Sequence, residues 1–367
     1  MQSKVHIVGA GTSGLIAARD IASAGIETRV YDQKKRLGYP PRASGIVSIR
    51  GLEALGVDYR QAATNTLYGA NIHVGGSSMH IAARRPQAHV LDRERLNAAC
   101  LGQAEGNGAV VSTGEKIGDR ELEAMRKDGI VIGADGAVST VARHFGMGSI
   151  TKYTLTYKAE FEATPNDARA VDLFFDNSVA PKFFAWLCPN SKHVVEAGIG
   201  IGPGHGNSKA AFERFLRMKY VADALDGAKQ LNGYASMIPM QTARRVADAK
   251  RRILLVGDAA GQVKPTTGGG IVFGGGAAML AAKAVIRHIR EGASLADYES
   301  AFRKEYGTDL RLHALVGALY SRLDAGKLEF VMNMMKALGA EGFLSAYGDM
   351  DRPSLILKRL FTRNAAE

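Results

Sequence analysis

The stretch Gly9-Ala10-Gly11-Thr12-Ser13-Gly14 constrains this chain more than any other. It follows a short apolar-leaning run, Lys4 to Val8, and precedes a helix pattern, Leu15 to Ala24, which Gly25 stops. A second strand, Thr28 to Tyr31, then ends at Asp32. Strand, glycine turn, helix, strand and acid in that order make a dinucleotide-binding fingerprint. Gly9 permits the tight turn, Gly11 lets the backbone touch a pyrophosphate, and Gly14 lets helix and strand pack closely. Asp32 can bond the hydroxyl pair of a ribose. The stretch predicts an α/β domain that binds an ADP-containing dinucleotide.

A second constraint lies far down the chain. Ile253 to Val256 reads as a buried strand that turns at Gly257-Asp258. A Pro/Thr/Gly loop follows and ends in Gly268-Gly269-Gly270-Ile271, before the small-residue helix pattern Ala277 to Ile289. Asp258 would stand at the carboxyl edge of its strand, where ligands bind in open α/β sheets. Three glycines bring backbone N–H groups close to a flat ligand, with the positive end of a helix behind them. A third element, Gly133-Ala134-Asp135-Gly136, follows the strand Ile130 to Ile132. A nicotinamide dehydrogenase needs only the first of the three. A longer cofactor needs more anchoring points.

At 367 residues the chain suggests about two domains. A net charge of +11 suits an acidic partner: nucleic acid, an anionic lipid surface or a phosphate-bearing ligand. The basic residues are dispersed, in pairs such as Arg84-Arg85, and no nucleic-acid signature accompanies them. No nucleic-acid partner is therefore expected. Cys100 and Cys188 give neither a disulfide framework nor a Cys-based metal site, which fits a reducing, cytoplasmic setting. The N-terminus enters a strand almost at once, so no signal peptide is expected. The uncharged run Pro265 to Ala282, bounded by Lys264 and Lys283, is too rich in Gly to read as a membrane span.

From about residue 151 the chain alternates like one antiparallel sheet: Tyr153 to Ala163, Val171 to Asp176, Phe183 to Leu187 and His193 to Gly200. Leu67 to Val74, Met79 to Ala82 and His89 to Leu91 read as a small antiparallel insertion. After Ala282 the pattern is helical, over 283–291, 295–306, 308–323, 327–337 and 353–361.

Taken together, the three glycine-aspartate elements and Arg93 resemble the p-hydroxybenzoate-hydroxylase branch of the glutathione-reductase-like FAD proteins. Two further motifs narrow the resemblance. Gly257 to Ile271, with Lys264-Pro265-Thr266-Thr267 inside it, is similar to the geranylgeranyl reductase family. So is Phe184-Ala185-Trp186-Leu187-Cys188-Pro189 followed by Gly198-Ile199-Gly200. The resemblance covers roughly residues 1–290. It implies an α/β (α+β overall) chain: a Rossmann-like FAD-binding domain of glutathione-reductase type, an inserted antiparallel-sheet substrate domain and a helical C-terminus. The expected boundaries are 1–66, 88–150 and 245–295 for FAD, 67–87 and 151–244 for the prenyl substrate, and 296–367 for the helices.

The resemblance also implies FAD contacts at Ser13, Asp32, Ala43, Ser44, Gly45, Arg93, Ile117, Asp135, Asp258, Gly270 and Ile271. The prenyl chain would meet Phe184, Trp186, Pro189, Gly198 and Gly200. The implied reaction is saturation of geranylgeranyl C=C bonds of archaeal-type ether lipids, by hydride from flavin N5 plus a proton. An unactivated alkene offers no carbonyl to polarise, so positioning and exclusion of water must carry the catalysis. Many family members place a cysteine near the flavin where Ala43 stands here. Ser44 is the candidate left for proton delivery, and no donor is assigned. With no second glycine fingerprint, electrons would come from a ferredoxin or from transiently bound NAD(P)H. The implied place is the inner face of the cell membrane, peripherally bound. Open alternatives are a menaquinone or prenyl diphosphate substrate, a flavin monooxygenase or halogenase, and a non-catalytic prenyl carrier.

Overall fold

The computed structural model describes residues 4–41, 43–242 and 245–363, with side chains up to Arg359; Arg42 of the loop before Ala43 lies outside the described residues. A six-stranded sheet forms the first layer. Its parallel strands lie in the order Val110–Thr113, Thr28–Asp32, Lys4–Val8, Gly129–Gly133 and Ile253–Leu255, and Ala247–Asp248 adds an antiparallel edge. The chain steps outward from Lys4–Val8 in one direction and then returns to its other side with Gly129–Gly133. That reversal opens a crevice at the carboxyl ends of these two strands, the usual ligand position in such sheets. Gly9 and Ala134 follow the two strand ends directly. The bond from Ala134 N–H to the Val8 carbonyl (2.7 Å) holds the turns side by side.

The second layer is an eight-stranded sheet. Tyr153–Glu162, Ala185–Ser191, Val194–Ile201 and Tyr234–Pro239 pair antiparallel, and Ala170–Phe174 joins Ala185–Ser191 in the same sense. The hairpin Gly69–Val74 and Ser77–Ala82 extends this sheet, docked parallel on Ala170–Phe174. The early insertion is therefore not one unit. Its last strand, Ala88–Leu91, pairs instead with Ile46–Ser48 and Ala63–Leu67 in a separate three-stranded sheet. The small sheet sits where the chain passes from the first layer to the second.

Helices fill the rest. Ile271–Glu291 packs on Thr12–Ser23, and its Phe273, Ala277, Ala278, Ala281 and Val285 are fully buried. By length and composition alone this helix could cross a membrane, but its apolar face is part of the core. One expectation fails here. The break near residue 307 does not occur, and Asp297–Tyr320 is one helix. An interior glycine costs about 1 kcal/mol, which the burial of Tyr298 and Phe302 on one side, and the bonds of Asp309 to Arg352 and Ser354 and of His313 to Thr266 on the other, outweigh. The sequence reading also passed over Asp119–Asp128 and Ala340–Tyr347. The first had a visible signal, with Leu122 and Met125 one turn apart and Glu121 Oε2 accepting from Gly118 N–H at 3.0 Å.

Candidate functional site

The fingerprint turn is shaped by close backbone approach. Gly9 has φ +108°, and a Cβ on it would lie 2.2 Å from the Ala134 carbonyl oxygen. A Cβ on Gly14 would lie 1.9 Å from the Gly9 oxygen, which is the helix–strand contact that its glycine serves. Gly11 differs: nothing stands within 4 Å of where its Cβ would be. It caps the Thr12–Ser23 helix without a side-chain hydrogen bond. The first N–H groups of that helix thus face open space, the arrangement that binds phosphate. Asp32 closes the turn, with Oδ2 accepting from Ala10 N–H and Oδ1 from Lys34 N–H, both at 2.8 Å.

That open space belongs to a cavity of about 680 Å³ between the two sheets. Thr12, Ser13, Ala43, Ser44, Gly45, Arg93, Asp258 and Gly268 to Ile271 line one side of it. Arg93 reaches Thr12 Oγ1 with Nη2 (3.4 Å), while its Nη1 is sealed from solvent with no partner. Desolvation lowers the Arg93 pKa. Desolvation likewise raises that of Asp258, against the attraction of Arg93. By surface area Asp258 is exposed, because its carboxylate faces the cavity. An orphaned guanidinium, open helix N–H groups and a bare glycine surface fit a pyrophosphate-containing flavin cofactor.

The glycine loop after Asp258 has its own reasons for glycine. At Gly268 (φ +73°) a Cβ would press on the Ile238 side chain, and at Gly269 on Lys264. Lys264 is buried and donates to Asp351 Oδ1 at 2.7 Å and to the Met350 carbonyl at 3.1 Å. Ser48 Oγ donates to the other Asp351 oxygen. Burial alone would raise the Asp351 pKa; Lys264 and Ser48 together hold it below the usual carboxylate value. Through this pair the segment Gly348 to Asp351, between the last two helices, closes one wall of the cavity.

The facing wall comes from the eight-stranded sheet. Phe183, Phe184, Trp186 and Leu173 line it. Trp186 lies across Gly198: a Cβ there would be 2.1 Å from the indole Cζ2. Gly200 makes the same room for the Phe183 ring. The indole Nε1–H donates to Glu196 Oε1 at 2.9 Å, and Glu196 is fully buried. Its Oε2 accepts from Lys158 Nζ at 2.6 Å. Lys158 lines the cavity and also donates to the Ala43 carbonyl at 2.9 Å, which joins the two walls.

The cavity thus gathers Gly11, Ser13, Ala43, Ser44, Gly45, Arg93, Asp258, Gly268, Gly269, Gly270, Ile271, Phe184 and Trp186. Gly9, Gly14 and Asp32 shape the turn beside it. Asp135 does not line it. Its carboxylate accepts from Ser139 Oγ (2.5 Å), Thr140 N–H (2.7 Å) and Val141 N–H (3.1 Å), at the start of the helix Thr140–His144. Ile117 packs in the first core, and Pro189 lies behind the wall. Gly198 and Gly200 act by making space for rings. Cys100 and Cys188 are buried free thiols, and burial raises the Cys100 pKa to about 11. Sequence reasoning missed Lys158, Glu196, Ser48 and Asp351.

Several known proteins are similar to this chain. A digeranylgeranylglycerophospholipid reductase of Methanothermobacter thermautotrophicus is 29% identical over 357 residues, 89% of each chain. One from Methanothrix thermoacetophila is 26% identical over 92% of each. Among solved structures, a geranylgeranyl bacteriochlorophyll reductase-like protein from Thermoplasma acidophilum shares the fold, with TM-score 0.80, 19% identity and 97% and 95% of the two chains covered. A flavin-dependent brominase shares it at TM-score 0.72 and 13% identity over the whole of both chains. The family model described as FAD binding domain matches residues 2–306, and the chain belongs to that family.

Proposed function

We propose that this protein is an FAD-dependent reductase that saturates the C=C bonds of geranylgeranyl chains on ether-linked glycerophospholipids. The observation that carries the reading is the two-sided cavity. One side offers unsatisfied hydrogen-bond donors and bare glycine backbone; the other offers aromatic and aliphatic side chains. The two named relatives, matched over most of both chains, support the same substrate class.

When bound, reduced FAD would supply the hydride. The chain's own residues do the rest. Arg93, the N–H groups after Gly11 and the Gly268-Gly269-Gly270 loop hold and orient the cofactor. Phe184, Trp186, Leu173 and Ile238 enclose an apolar chain and exclude water. For an alkene that cannot be polarised, holding the reacting carbons in place can supply several kcal/mol of the barrier reduction. The Gly348 to Asp351 segment, tied down through Lys264, completes the enclosure.

A lipid substrate requires access from a bilayer. Two of the C-terminal helices carry apolar side chains turned to solvent, among them Phe330 (69% exposed) and Leu338 (80%) on or just beyond Ala325–Ala337, and Leu315 and Leu319 on Asp297–Tyr320. These residues and the net charge of +11 support peripheral binding at the anionic inner face of the cell membrane. A ferredoxin or NAD(P)H would supply the electrons. The test is anaerobic: reduced protein is mixed with digeranylgeranyl lipid, and the visible absorbance of oxidised flavin should return. No return within hours, with the flavin still bound, would remove this reading.

A further inference from the structure

Saturating an isolated alkene takes a hydride at one carbon and a proton at the other. The site therefore needs a proton-bearing side chain on the cavity surface. Arg50 and Arg93 line the cavity, but a guanidinium does not give up its proton. Ser44 and Thr156 offer only aliphatic hydroxyls, far weaker acids than an ammonium, and the Tyr68 ring lies under the Arg169 guanidinium (4.0 Å) with no bond to the Ala43 loop among the described residues. Lys264 lies beneath the glycine loop and is held by the segment Met350-Asp351.

Lys158 stands apart from these. It belongs to the substrate wall and lines the cavity together with Trp186, Phe184 and Leu173. It reaches across to the loop at Ala43 through its bond to that carbonyl. Two of its three ammonium hydrogens are committed, to Glu196 Oε2 and to Ala43 O, which leaves one. The sheet register explains why these groups meet. Lys158 and Trp186 both pair with Gly198, from the strands on either side of it. Glu196 sits two residues before Gly198, on the same face of the strand. One buried carboxylate thus holds the indole with one oxygen and the ammonium with the other. A buried ion pair is weak evidence for stability. On a cavity wall, beside the loop that faces the cofactor, it is a candidate for function.

We propose that Lys158 delivers the proton, with Glu196 and Trp186 as its positioning residues. The proposal rests on the reductase reading. The hydride from the reduced flavin forms one new C–H bond. The alkene π pair takes a proton from Lys158 and forms the other, as the N–H bond breaks. Lys158 is left as a neutral amine and regains its proton from water once the saturated chain leaves.

The test uses the full-length holoprotein, anaerobically reduced with dithionite, and three readouts. These are single-turnover saturation of a digeranylgeranyl lipid, bound FAD, and the emission of Trp186, the only tryptophan in the chain. Lys158→Arg keeps the positive charge opposite Glu196 but cannot release a proton. It is expected to retain FAD and the Trp186 emission while saturation slows by about 100-fold or more. The double variant Lys158→Met with Glu196→Gln leaves no unpaired buried charge, and is expected to fold and to show the same loss. If Lys158→Arg or the double variant saturates the lipid at the wild-type rate, the proposal is overturned and the reductase reading stands. If the wild-type protein saturates nothing, both fall together.

Discussion

Replacing Gly198 by alanine tests how the substrate wall is built. The added Cβ would sit 2.1 Å from Trp186 Cζ2 and 2.3 Å from Cε2. Carbon atoms in contact lie about 3.5–4.0 Å apart, so the ring must shift by more than 1 Å, as a rough estimate. The backbone cannot yield easily, because Gly198 is paired on both sides, to Lys158 and to Trp186. Overpacking of this kind costs about 1–3 kcal/mol. The displaced indole also loses its 2.9 Å bond to Glu196, a charged acceptor, worth about 1.5–3 kcal/mol. The expected loss of stability is therefore about 3–5 kcal/mol, since the two terms overlap. Urea unfolding followed through the single tryptophan measures it. The native emission should change as well, because the indole leaves a buried site (8% exposed). A Gly198→Ala protein with unchanged midpoint and unchanged emission would refute this account of the wall.

Other substitutions separate cofactor binding from folding. Gly11→Ala meets no atom of the protein within 4 Å, so its stability should stay within about 1 kcal/mol of wild type. Its FAD content after purification should fall sharply, because the methyl group occupies the approach of the pyrophosphate; normal FAD loading contradicts the assignment. Asp351 has a depressed folded-state pKa, so its stabilising effect is present above the unfolded value of about 3.9 and is lost as pH falls through the folded value. Asp351→Asn should therefore lower stability by about 3–5 kcal/mol at neutral pH and flatten the acid limb of the stability–pH curve; an unaltered acid limb means that the Lys264 pair does not contribute. Phe330→Asp with Leu338→Asp should abolish sedimentation with anionic phospholipid vesicles without changing FAD content, and retained sedimentation places the membrane contact elsewhere.

What the sequence revealed was local. The Gly9 to Gly14 turn, the Gly257 to Ile271 loop and the Phe184 to Pro189 stretch each do their work within a few residues of the glycine, aspartate or aromatic that marks them. The structure brings cavity-lining residues of all three to one space. The ionic parts of the site were not legible, for a physical reason. Thr154, Thr156, Lys158 and Glu160 alternate with Leu155, Tyr157, Ala159 and Phe161 along one strand, and such a polar face reads as solvated. Whether it meets water or a cavity depends on the elements laid over it. Lys264 and Asp351 are separated by 87 residues, and no periodicity links them. Asp135 shows a local role that the motif does not reveal. A Gly-Ala-Asp-Gly turn suggests a cofactor anchor, and its carboxylate also accepts bonds at the start of the helix that follows. The helix Asp297–Tyr320 runs through Gly307 because tertiary burial outweighs one residue's propensity.

The central claim is that this cavity presents a prenyl chain to a reduced flavin. Its most direct test is mass spectrometry of digeranylgeranyl-glycerophospholipid after anaerobic incubation with the dithionite-reduced protein. Each C=C bond saturated adds two hydrogen atoms, and in deuterated water both should be deuterium, because the N5 hydrogen of a dithionite-reduced flavin and the ammonium hydrogens of Lys158 both exchange with solvent. The account predicts a ladder of such products that forms with the wild-type protein and fails with Asp258→Ala. A flavin-loaded protein that leaves the lipid mass unchanged would contradict it.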